Sequence, residues 1–299
     1  MAKRKIKITK ATRFDYTIQS FQDEEISIVE NPAFYREYDE SGNMINEIVN
    51  GPGGYLSEKY SFVYRDKKMV EQLIYMDEDT VAEHQFFEYQ NDKIIKQITK
   101  YQEGEDEIIW SYDDKGRILS KTTYDEGDET NKTTYEYQAN TIHIKEYDSN
   151  ELILNQVNSF DDKARIVEQK TINLIEEEKS ITTFEYSDTG ALLREVQTTL
   201  EGDLIQSIEN KYNEKGQMIE VLTSTQDSIT KLEIKFDEDG NEVYQLETNE
   251  KGEINHQVAR SFDSEGNLLA TEVELFYHGL GMDSHYEIKY EYEFFEEGI

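Results

Sequence analysis

The chain has 299 residues, 65 of them acidic and 31 Lys or Arg, for a formal net charge of −34. Such a surface repels phosphate backbones and anionic lipid, so it disfavours nucleic acid as a ligand and leaves a basic protein as the charge-compatible partner. The absence of cysteine excludes disulfides and thiolate metal sites, and 21 Tyr and 13 Phe set the chain apart from disordered acidic sequences.

The first 13 residues carry Lys3, Arg4, Lys5, Lys7, Lys10 and Arg13 and no acid. Ile6 and Ile8 alternate with Lys5, Lys7 and Thr9, the period of a strand. This basic start lacks the apolar stretch of a signal peptide, and no segment approaches the roughly 20 apolar residues of a membrane span. The expectation is a cytoplasmic protein, with signal-independent export as the alternative. Residues 1–33 read as N-terminal cap strands.

From Tyr38 onward one motif recurs. An aromatic residue is followed by acidic or amide residues, a glycine, and an apolar pair. Tyr38-Asp-Glu-Ser-Gly42, Tyr112-Asp113-Asp-Lys-Gly116, Tyr186-Ser-Asp-Thr-Gly190, Tyr212-Asn-Glu-Lys-Gly216 and Phe262-Asp-Ser-Glu-Gly266 are the full copies, and Phe236-Asp-Glu-Asp-Gly240 fits with one apolar residue lost. At Phe160 the glycine is replaced by Ala164. Three shorter copies begin at Tyr64, Tyr89 and Tyr137 and lack both the glycine and one residue. The ten anchors are spaced by 23 to 26 residues.

Each copy reads as a hairpin. The aromatic ends a strand, the next residues bond their own backbone in a turn, and the glycine supplies a left-handed conformation before the returning strand. In the shorter copies Asp66, Asn91-Asp92 and Asn140 are expected to take the left-handed positions. A second turn follows each anchor by about 15 residues, as at Gly104, Gly127, Gly202 and Gly252. Gly51-Pro-Gly-Gly54 reads as an exposed loop.

Residues 34–274 are therefore expected to form about twenty strands of an all-β antiparallel meander. Sheets that large curl. The predicted form is an open spiral strip or β-solenoid-like sheet of tandem two-stranded repeats. Residues 275–299 break phase and read as an aromatic C-terminal cap. Their Phe276, Tyr277, Tyr286, Tyr290 and Tyr292 are the candidate partner-binding residues.

The units resemble the tyrosine–aspartate (YD) repeats of the RHS-repeat family. Tyr112-Asp113, Gly116, Ile118-Leu119 and the later Tyr135-Glu-Tyr137 carry the match, which spans roughly residues 34–270. The resemblance implies a spiralling β-strip, as in the shells that RHS-type proteins build around toxic cargo. Shell-forming members end in an Asp-Pro-rich autocleavage region and a toxin domain. The prolines here are Pro32 and Pro52, so encapsulation and self-cleavage are not carried over. A weaker likeness is to MORN-like repeat antitoxins, whose Gly-x-Trp signature is missing; the single tryptophan is Trp110.

No catalytic residue, cofactor site or metal site is assigned. His84, His143, His256, His278 and His285 show no ligand spacing such as His-x-x-x-His. Asp237, Asp239 and Asn241 match half of a calcium loop, but its twelfth position falls at Thr248. The repeat residues Tyr38, Gly42, Tyr112, Asp113, Gly116, Tyr186, Gly190, Tyr212, Gly216, Phe236, Gly240, Phe262 and Gly266 read as folding chemistry. Function then falls to the surfaces between them. The expectation is a non-catalytic scaffold for a basic protein partner, of the bacterial toxin-immunity or antitoxin type. The alternatives are a structural part of a secreted or surface assembly, and a glycan-binding or glycan-acting protein.

Overall fold

The computed structural model describes residues 4–18, 26–278 and 283–296. Lys3 and Gly279–Met282 of the sequence reading lie outside them. The described chain is built of β-strands joined by turns. The strands are β1 Ile6–Ile18, β2 Ile26–Tyr38, β3 Met44–Asn50, β4 Leu56–Arg65, β5 Lys68–Tyr75, β6 Val81–Gln90, β7 Lys93–Lys100, β8 Glu105–Tyr112, β9 Ile118–Asp125, β10 Asp128–Tyr137 and β11 Thr141–Asp148. There follow β12 Glu151–Phe160, β13 Ile166–Asn173, β14 Glu178–Tyr186, β15 Leu192–Thr199, β16 Leu204–Tyr212, β17 Met218–Thr225, β18 Ile229–Phe236, β19 Glu242–Asn249, β20 Ile254–Phe262, β21 Leu268–Leu275 and β22 Ser284–Phe294.

All 22 strands belong to one sheet. Sequence reasoning predicted an open strip or solenoid, and the strand pairing overturns it. β1 pairs antiparallel with β2 along one side and with β22 along the other. First and last strands are therefore hydrogen-bonded neighbours, and neither is the free end that an open strip requires. The physical reason is edge satisfaction. An open strip leaves a row of unpaired N–H and C=O groups along each terminal strand. Pairing of β1 with β22, from Ile6↔Phe294 to Tyr16↔His285, removes both edges at once.

Two compact units divide the chain, residues 1–85 with 232–299 and residues 86–231. In the first, the seam around β1 is rich in cation–aromatic contacts. Arg13 lies 3.7 Å over the Tyr286 ring and Arg4 lies 3.9 Å over Phe294. Phe34 and Tyr290 rings meet across β1 at 5.9 Å, and Lys10 bonds Glu293 at 2.8 Å. The basic N-terminal residues are thus matched to the acidic–aromatic alternation of β22.

In the second unit the strands run as an unbroken meander from β7 to β17. The sheet is a single layer with a thin core. Among the described residues of both units, Ala11, Val258 and Val273 are the buried apolar ones, and no side chain is fully enclosed. Stability therefore rests on the strand ladder, on half-buried cross-strand pairs and on the turns.

Candidate functional site

The turns divide into two edges, because successive turns of an antiparallel meander fall at opposite ends of the strands. One edge carries the aromatic-anchor turns. There the left-handed conformation falls where the sequence placed it, at Gly42, Gly116, Gly190, Gly216, Gly240 and Gly266. Ala164 adopts the same conformation at φ +59°. Of the shorter turns, Asp66-Lys67 and Asn91-Asp92 are left-handed at both positions. Asn140 is not; its turn closes through Gln138 N–H donating to the Thr141 carbonyl at 2.9 Å.

The acidic residue after each anchor has a specific task. Asp113 Oδ1 accepts the N–H groups of Lys115 at 2.9 Å and Arg117 at 2.8 Å, while Oδ2 accepts from Arg117 Nε at 2.7 Å. Asp39 binds Ser41, Asn43 and the Asn43 amide in the same way. Asp161 does so with Lys163 and Arg165, and Asp263 with Glu265 and Asn267. The donor four residues on (Asn43, Arg117, Arg165, Asn241 or Asn267) is a column the sequence displays and the motif reading passed over. These bonds hold the Asp39, Asp113, Asp161 and Asp237 carboxyls below the usual range. For Asp113 and Asp161 the first cause is the backbone N–H of Arg117 or Arg165, and for Asp39 and Asp237 it is the side-chain amide of Asn43 or Asn241. The calcium half-match at Asp237 is accounted for in this way, since both carboxylate oxygens are engaged by Asn241.

The anchor tyrosines couple one repeat to the last. Tyr112 donates to the Ile94 carbonyl at 2.6 Å, Tyr137 to Ile118 at 3.0 Å, Tyr186 to Ile166 at 2.9 Å and Tyr212 to Leu192 at 2.8 Å. Each acceptor opens the returning strand of the preceding unit. Tyr292 repeats the contact with the Leu268 carbonyl at 2.8 Å. It is an eleventh anchor, hidden by the longer spacing of the tail. Of the other tail candidates, Tyr286 and Tyr290 sit on the same face of β22 and take part in the β1 seam, Phe276 bonds the Asn255 carbonyl through its N–H, and Tyr277 is exposed.

One group of side chains among the described residues has metal-like proximity. Ligand atoms of Glu272, Glu274 and His285 lie within 4.8 Å of one another. His285 Nε2 is 2.9 Å from Glu272 Oε1 and 4.0 Å from Glu274 Oε1, and its ring stacks on Tyr16 at 4.4 Å. Glu274 is also held by the Gln257 amide. A histidine–carboxylate hydrogen bond accounts for this arrangement without an ion.

The opposite edge differs in charge. In the unit 86–231, take each turn with the strand residue on either side. The anchor edge then holds seven acids and six Lys or Arg; the other edge holds thirteen acids and one base, Lys100. On the anchor edge Asp113 pairs with Arg117 at 2.7 Å and Asp161 with Arg165 at 2.6 Å. On the acidic edge Glu177, Glu178, Glu201, Asp203 and Asp227 are exposed, and none forms an ion pair among the described residues.

No family model matches the chain, and no curated protein matches it. Solved structures show distant likeness. A porin-like protein from Bacteroides uniformis matches at 9% identity with a TM-score of 0.36, covering 95% of this chain and 97% of that one. The complex titled TcdB2-TccC3-Cdc42 matches at 11% identity and TM-score 0.33, with 89% of this chain covered, and the chain spans only 16% of that protein's length. A second form, TcdB2-TccC3 without its hypervariable C-terminal region, gives 11% identity, TM-score 0.33 and 87% and 16% coverage. At scores of this size none of these likenesses assigns the chain a function.

Proposed function

We propose that the protein is a non-catalytic β-repeat scaffold that binds a basic protein partner, in the manner of a toxin-immunity or antitoxin protein. The observation that carries this reading is the uncompensated acidic edge. In the unit 86–231 the anchor edge balances its acids with nearly as many bases, and Asp113 and Asp161 are held by turn hydrogen bonds and by Arg117 and Arg165, whereas Glu177, Glu178, Glu201, Asp203 and Asp227 of the second edge are exposed without a cation. Fixed like charges self-repel and steer an oppositely charged partner inward.

No described helix is long and apolar enough to cross a membrane. A membrane barrel instead needs an apolar band about 25 Å tall on one face. In β8–β15 one face sets Lys121, Glu146 and Glu195 among its aromatics, and the other carries Glu107, Lys132, Glu136, Lys170 and Arg194. Neither composition suits lipid, which favours a protein partner. Pairing of β1 with β22 also removes the terminal strand edges through which a larger assembly would extend the sheet.

Affinity capture from the native lysate tests the reading. The expected result is a basic protein retained at low ionic strength and released as salt rises. Recovery of no basic protein at any salt concentration would count against it.

A further inference from the structure

Three successive turns of the acidic edge, 174–177, 200–203 and 226–228, join strands β13–β14, β15–β16 and β17–β18. Each sets large apolar side chains beside its acids. Ile175 is 68% exposed, Leu174 and Leu200 are 48% exposed, and Ile229 is 42% exposed. The local structure enforces this. Asn173 Oδ1 accepts the N–H groups of Ile175 at 3.0 Å and Glu176 at 3.2 Å, which holds Leu174 and Ile175 at the apex. Gly202, at φ +96°, bonds back to the Thr199 carbonyl at 3.2 Å and leaves Leu200 at the tip of the next turn. Exposed aliphatics recurring on successive turns of a highly charged edge mark an interaction surface rather than solubility design.

We infer that these three turns form a docking strip for a basic, amphipathic polypeptide segment of another protein, one that alternates Lys or Arg with apolar residues. The inference rests on the proposed basic-partner function and locates it. Turns on one edge recur every two strands, about 9.6 Å, so three turns span about 20 Å. That matches about six residues of extended chain at about 3.3 Å each. Basic side chains of the segment meet Glu177, Glu178, Glu201, Asp203 and Asp227, and its apolar side chains cover Leu174, Ile175, Leu200 and Ile229. The charge complementarity selects the occupant: an acidic or neutral apolar segment would bury these carboxylates without a partner.

The test uses the full chain and two fluorescent eight-residue peptides, one alternating lysine with leucine and one alternating lysine with serine. Fluorescence anisotropy is expected to show the lysine–leucine peptide binding at least about tenfold more tightly. It is expected to weaken about tenfold in the triple variant L174S, I175S, L200S, and about tenfold in E177Q, E178Q, E201Q. The anchor-edge variant D114N, E214Q should bind as the native chain does. The glutamine variant keeps every apolar contact, so it stands as an independent test should the serine variant fail to fold by circular dichroism. Equal binding of the two peptides, or undiminished binding by the edge variants, would overturn the strip while leaving a basic partner elsewhere on the surface. Binding of neither peptide by the native chain would remove both the strip and the basic-partner reading.

Discussion

Ala164 offers a sharp test of the turn chemistry. It occupies the position that glycine holds in six other repeats, and it sits at φ +59° with its N–H donating to the Asp161 carbonyl at 3.0 Å. A side chain in the left-handed region costs about 1–2 kcal/mol. Glycine removes that cost but adds about 0.4–1 kcal/mol of unfolded-chain entropy. Ala164→Gly should therefore stabilise the protein by about 0.5–1 kcal/mol, a rise of about 1–2 °C in Tm for a chain of this length. Gly190→Ala is the reciprocal change. Gly190 lies at φ +93° with no atom within 4 Å of an added Cβ, so backbone strain alone sets the effect. A loss of about 1 kcal/mol is expected. Urea denaturation followed by circular dichroism measures both. A destabilising A164G or a neutral G190A would refute the left-handed turn account.

Further outcomes follow from the same structure. Tyr186→Phe removes one hydroxyl donor to the Ile166 carbonyl and should cost about 1 kcal/mol in urea denaturation without changing the circular dichroism spectrum. Stability should depend on pH in two stages. As pH falls from 7 toward the pI of about 4.4, loss of negative charge relieves self-repulsion and Tm should rise. The carboxyls of Asp39, Asp113, Asp161 and Asp237 are lowered in the folded state, so their contribution is complete above the unfolded value of about 3.9. It is lost as pH drops through the folded values, and Tm should fall again below about pH 4. Added salt at pH 7 should raise Tm by screening the net charge of −34; a flat response would contradict a self-repelling surface.

Much of the fold was legible because its signals are local. The left-handed glycines, the loss of glycine together with one residue at Asp66 and Asn91, and the strand alternation around Phe184 and Tyr186 all depend on neighbours a few positions away. The β1–β22 pairing was not legible. Ile6, Ile8 and the alternating tyrosines of β22 have the same pattern whether a strand edge is paired or free, and only the register from Ile8↔Glu293 to Tyr16↔His285 decides. The anchor role of Tyr292, read from sequence as a partner-binding candidate, was hidden for the same reason: its acceptor, the Leu268 carbonyl, is defined by cross-strand position rather than by spacing. Asn140 misled because an amide tolerates the left-handed region without requiring it. The acidic edge lay in the sequence as scattered carboxylates at Glu103, Glu126, Glu177 and Glu201. It became one surface only when the meander assigned alternate turns to opposite ends.

The claim most exposed to experiment is the β1–β22 seam. Thr12 and Lys289 are directly opposed in it, and opposed antiparallel residues have Cα atoms about 4.5–5.5 Å apart, within disulfide range. The chain has no native cysteine, so the variant T12C, K289C reports on that contact alone. The β1–β22 pairing predicts rapid intramolecular disulfide formation in the monomer under mild oxidation at all protein concentrations. Free thiols, or disulfides found only between chains, would contradict it.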